Sequence, residues 1–125
     1  SAHEHGTMEM TVLGERVDFS QGQYQVVADR FHFENNDGEV WHTHATGVTL
    51  KWAMDTLPGT EVSADSVTYQ GTTYANSDPD YEVSIEVNGE PVDPADYVLQ
   101  GVGDAARASE GDSVRIVVRR TDSSG

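Results

Sequence analysis

The sequence predicts a mainly β, α+β fold: antiparallel hairpins with one short helix at about residues 49–57. Three observations carry this. Apolar and polar residues alternate in short runs, the period of a half-buried strand. One stretch alone shows the period of a helix. The turn formers Leu13-Gly14, Asn36-Asp37-Gly38 and Asn88-Gly89 separate the runs.

Taken in order, residues 8–13 alternate, Leu13-Gly14 turns the chain, and residues 16–19 return. Residues 20–29 carry no decisive pattern. Residues 30–34 and 39–45 form a hairpin. Thr49 is a good N-cap residue. Leu50, Ala53, Met54 and Leu57 then fall at i, i+3, i+4 and i+7, one buried stripe that Pro58-Gly59 ends. Further strands are expected at 67–70, 72–75, 82–87 and 114–119, with loops at 76–80 and 101–111. A chain of 125 residues holds one domain, 1–125, with a histidine-bearing N-terminal arm at 1–7 and a C-terminal tail at 121–125 that is expected to fray. Residues 12–19 and 87–94 share five identities in eight positions. Two hairpins with the same turn chemistry explain this as well as a duplication does.

Composition narrows the function. Asp and Glu number 22 against 7 Lys and Arg, for a net charge of −15. Six of the seven basic residues are Arg, and Lys51 is the single lysine. Such a surface suits a protein that stays soluble in molar salt, where the Debye length falls to about 3 Å and like charges repel weakly. It argues against a nucleic-acid partner, since nothing could neutralise phosphates. No run of about 18 apolar residues suggests membrane insertion. The absence of cysteine removes disulfides, thiolate-bound zinc and thiol catalysis. The chain begins at Ser1 rather than Met, which suggests a processed, exported protein, an engineered start being the rival explanation. An extracellular or cell-surface location is therefore expected.

The histidines carry the chemistry. His3 and His5 form one His-x-His pair, His42 and His44 another, and His32 lies between two phenylalanines. On a strand, residues i and i+2 share a face, so each pair presents two imidazoles side by side. A three-residue loop at Asn36-Asp37-Gly38, with Gly38 in the left-handed region, would pair Asn35 with Glu39. His32 would then oppose His42, and Arg30 would oppose His44. His32, His42 and His44 would share one face, leaving Phe31, Phe33, Trp41 and Thr43 for the core. A two-residue loop would instead move His32 to the core face. The plain alternative is a set of solvated surface histidines, which two His-x-His pairs make less apt.

Neutral imidazole is the commonest protein ligand for zinc, copper and nickel. Ser1-Ala2-His3 also matches the amino-terminal copper and nickel motif, in which amine, two amides and imidazole form a square-planar set. Met8 and Met10 follow; thioethers suit Cu(I), although alternating methionines fit a core better. The expected metal ligands are thus His3, His5, His32, His42, His44 and Ser1, with copper as the metal and zinc as the alternative. Glu4, Glu34 and Glu39 flank the histidines and read best as surface charge. The segments 35–39 and 78–80 lack the EF-hand spacing and read as turns.

Residues 31–50, with His42-Thr43-His44 before Gly47-Val48-Thr49-Leu50, together with the earlier His3-Glu4-His5 and residues 17–20, resemble a poorly characterised His-x-His-containing secreted module of haloarchaea and bacteria. The resemblance covers residues 3–57 well and the rest weakly. It implies export and a haloarchaeal setting rather than a mechanism. The order hairpin, helix, strands is similar to a β-grasp. A ubiquitin-like carrier would need a C-terminal Gly-Gly, which Ser123-Ser124-Gly125 does not supply.

The expectation is therefore an extracellular, salt-adapted copper-binding β domain that is not an enzyme. A homo-oligomer or homopolymer is the expected assembly: the N-terminal strand would pair with a neighbour's sheet edge, and metal-bridged histidines would join the copies into a filament. A metal-free structural or adhesive domain is the alternative. A His-ligated zinc hydrolase or copper oxidase is less apt, because the sequence has no His-Glu-x-x-His, nucleophile elbow or phosphate loop.

Overall fold

The structure, a computed structural model, describes residues 3–122. The chain forms β1 (Glu4–Val12), β2 (Glu15–Arg16), a 3-10 turn (Gly22–Tyr24), β3 (Phe31–His32), β4 (Val40–Thr43), α1 (Leu50–Asp55), β5 (Thr60–Ser63), β6 (Ser66–Tyr69), β7 (Thr72–Ala75), β8 (Tyr81–Val87), β9 (Glu90–Pro91), a second 3-10 segment (Ala105–Glu110) and β10 (Ser113–Arg120). The fold is mainly β, as the alternation predicts.

The larger sheet runs β3-β4-β1-β10-β8-β9, with β2 folded back on β1. Its centre is the parallel pair β1 and β10, with Met8 level with Val114 and Met10 level with Ile116. The other pairings in this sheet are antiparallel. A smaller sheet runs β5-β6-β7. One apolar cluster joins the inner face of the large sheet (Met8, Met10, Val114, Ile116, Trp41, Phe31), the helix (Leu50, Ala53, Met54) and Val62 and Val67 of the small sheet. Both N-terminal methionines are core residues, and they point away from His3 and His5 because strand parity separates them.

Local chemistry fixes the elements. The Thr49 hydroxyl accepts the Trp52 N–H at 3.1 Å, the expected N-cap, and the buried stripe is the expected one. The lone lysine closes the helix onto β5. Lys51 Nζ donates to the Val62 carbonyl at 2.7 Å, and Asp55 accepts the Val62 N–H at 3.1 Å. The two octets of shared sequence form the same hairpin, with Val12 opposite Glu15 and Val87 opposite Glu90. Both turns place two successive residues at positive φ, Leu13 and Gly14 at 52° and 85°, Asn88 and Gly89 at 54° and 82°.

Three expectations change. Strand β5 was not anticipated, because Thr60 and Val62 are the only inward-facing positions in so short a run. Within the expected loop at 101–111, residues 105–110 form a 3-10 segment capped by the Asp104 carboxylate. Residues 4–7 of the expected N-terminal arm belong to β1 and are held on both sides within the chain. Glu4–Thr7 pair with β4, while the His5 N–H donates to the Val102 carbonyl and the Thr7 N–H to the Asp112 carbonyl. Pairing of this strand with a neighbour's edge would require it to leave its own sheet. At the other end Thr121 is tied down, its N–H donating to the Asp80 carbonyl and its hydroxyl to that of Pro79. Ser1 and residues 123–125 lie outside the described residues.

Candidate metal centre

Three adjacent strands bring the histidines together. In β3 and β4, His32 is level with His42; in β4 and β1, His42 is level with His5. The three imidazoles thus form a row across the sheet. Two residues along each strand come His44, whose N–H donates to the Arg30 carbonyl, and His3. All five lie on the face opposite Trp41, Phe31 and the methionines. Ring centroids are 4.3 Å apart for His3 and His44, 4.5 Å for His5 and His42, 4.7 Å for His3 and His5, 5.0 Å for His32 and His44, and 5.7 Å for His32 and His42.

The register agrees with the sequence reading, but the loop that makes it is different. Gly38 is not the left-handed residue; Asn35 and Asn36 are, at φ 58° and 57°. Asparagine tolerates that region better than other non-glycine residues. Gly38 serves another end, since a Cβ there would collide with the backbone of Phe19 and Ser20. Gln25 holds the loop. Its side chain donates to the Phe19 and Asp37 carbonyls and accepts the Asn36 N–H.

Three of the five are not solvated surface histidines, while His3 and His44 are exposed. His5 is 3% exposed, and His32 and His42 are 6% exposed each. His5 is fixed by Val102, whose carbonyl accepts both its backbone N–H and its ring Nδ1–H, the latter at 3.0 Å. A carbonyl can only accept, so Nδ1 carries a proton, which in the neutral ring leaves the lone pair on Nε2. This is the orientation a metal-ligating imidazole needs. Gly101 lets the Val102 segment approach, because a Cβ there would meet the His5 backbone. Glu4, one of the flanking acids, accepts the Gly101 N–H at 3.1 Å and so braces the same contact.

His32 is fixed in the same way by Ala28, whose carbonyl accepts its Nδ1–H at 2.8 Å. Its Nε2 faces Glu34 Oε1 at 2.8 Å. Glu34 Oε1 also lies 3.8 Å from His42 Nδ1, too far for a hydrogen bond, and that buried nitrogen has no hydrogen-bond partner among the described residues. Burial, partly opposed by Glu34 and reinforced by the neighbouring imidazoles, pushes the pKa of His42 down. Burial and then His3 and His32 do the same to His44. The Glu34 carboxyl is held below its ordinary value, chiefly by its hydrogen bond to His32. Neutral imidazole and ionised carboxylate are the ligating forms.

Among the described residues, two groups of side chains could each hold a metal ion: His3, His5 and His42, and His32, Glu34 and His44. Within each group the ligand atoms lie within 4.8 Å of one another. First-row ions take such donors at ~2.0–2.2 Å. The structure therefore gathers all five predicted histidines and adds Glu34. A signal for Glu34 was present in the sequence, since it stands two residues after His32, the same-face spacing of a strand. The remaining predicted ligand, Ser1, lies outside the described residues. Comparison with protein-family models, with curated proteins and with solved structures finds no match to this chain.

Proposed function

We propose that the chain is the transition-metal-binding domain of an exported or surface-exposed, salt-adapted protein, and that copper is its metal. The observation that carries this is the convergence of five imidazoles on one sheet face, with His5 and His32 each anchored through Nδ1 on a backbone carbonyl. Such anchoring orients a ligand before the ion arrives and lowers the cost of binding it.

Donor chemistry supports copper. His3, His5 and His42 offer three nitrogens and no sulfur or oxygen. For a nitrogen site the affinity order of first-row divalent ions peaks at Cu(II). Zinc is the next choice, since three imidazoles with an open fourth position also suit it. The surface charge of −15 and the near absence of lysine support the salt-adapted, exterior setting.

The test is calorimetric titration of the full chain with Cu²⁺, beside the His3→Ala variant. His3 is exposed, so its removal should leave the metal-free melting temperature unchanged. Copper affinity should fall by tenfold or more, roughly the least that loss of a ligand or its support costs. Equal affinities would remove His3 from the centre. No copper binding by the parent chain would overturn the reading.

A further inference from the structure

We infer that the histidine face holds two ions rather than one, the second on His32, Glu34 and His44. This rests on the reading of the cluster as a metal centre and deepens it. The two ligand groups share no residue, so occupation of one leaves the other complete. They are neighbours: His3 of the first and His44 of the second stack at 4.3 Å and 27°.

The geometry around His32 points to a cation. Its Nδ1–H is committed to the Ala28 carbonyl at 2.8 Å. Its Nε2 lies 2.8 Å from Glu34 Oε1, the contact a ring N–H makes with a carboxylate when no metal is bound. A proton bridges this pair in the metal-free protein, and a metal ion held by Nε2 and Oε1 would take that proton's place. The carboxylate is positioned from behind, as ligating carboxylates are, because Asn35 Nδ2 donates to Glu34 Oε2 at 3.3 Å and leaves Oε1 for His32. The left-handed Asn35 and Asn36 turn the chain away directly after Glu34, and Gln25 clamps that turn. His44 closes the group, its ring stacked on His32 at 5.0 Å and 20°.

Two imidazoles and one carboxylate make a harder donor set than three imidazoles. This second site takes a divalent first-row ion, with Zn²⁺ its natural probe, and disfavours Cu(I), which prefers softer ligands. The first site keeps the all-nitrogen environment.

The experiment counts ions on the full chain. Protein saturated with Zn²⁺, and separately with Cu²⁺, is desalted and its metal measured by mass spectrometry. The parent chain should carry two ions, and Glu34→Gln and His44→Ala should each carry one. The copper form of the parent should show a dipolar-broadened electron paramagnetic resonance spectrum that sharpens in Glu34→Gln. Glu34 is about a third exposed and His44 is exposed, and metal-free melts of both variants confirm that they fold. One ion in the parent, unchanged in both variants, would overturn the second site and leave the proposed function standing. Two ions retained by both variants would also overturn it. No ion in the parent would overturn both.

Discussion

At the residue scale the centre is governed by which nitrogen each imidazole commits. His5 and His32 spend Nδ1 on backbone carbonyls, while the buried His42 Nδ1 has no hydrogen-bond partner among the described residues. The metal-free protein should therefore be acid-sensitive. His42 and His44 have folded pKa values below the ordinary histidine value near 6.5, so between that value and their folded ones the unfolded chain binds more protons. Their contribution is neutral above about pH 7 and destabilising as pH falls through ~6.5. Glu34 acts in the same direction at lower pH, its stabilisation being lost as pH falls through its depressed folded value. Thermal melts of the metal-free chain should show a constant midpoint above pH 7 and a falling one toward pH 5. A midpoint that does not move over that range would contradict the burial of the His42 ring. The five histidines and their pairwise spacing were legible in the sequence. Glu34 reads as surface charge, since its same-face spacing from His32 does not distinguish a ligand from a solvated acid; its contacts with His32 and Asn35 do.

At the scale of elements, the site depends on β1 lying between β4 and the segment at Val102. Counting back through one hairpin places His32 opposite His42, and the structure has that register although the loop is built differently. Short-range pairing is recoverable because hydrophobic parity restricts it, with Phe31, Phe33 and Trp41 inward. The pairing of His5 with His42, and of β1 with β10, joins residues far apart in sequence, where nothing local selects a register. A free arm and a central strand therefore look alike at the sequence level. Hydrogen exchange distinguishes them. The amides of His5, Thr7 and Met8 donate to the carbonyls of Val102, Asp112 and Glu39, so they should exchange as slowly as those of β10. Exchange at the rate of an unstructured arm would mean that His3 and His5 are not held at the centre.

At the scale of the whole molecule, a strongly acidic chain builds one basic-ligand face. The charge of −15 draws cations toward the protein, and the histidine face selects among them by donor type rather than by charge. The fold places its apolar core on one side of the β3-β4-β1 strands and the imidazoles on the other, so rigid packing on one face orders ligands on the opposite one. The most direct measurement is the electron paramagnetic resonance spectrum of the full chain with one equivalent of Cu²⁺ at neutral pH. Nitrogen hyperfine structure from imidazoles, absent once His5 and His42 are both replaced, is the predicted result. A spectrum of oxygen-ligated copper, the kind a carboxylate-rich surface alone would give, would contradict the assignment of the histidine face as a metal centre.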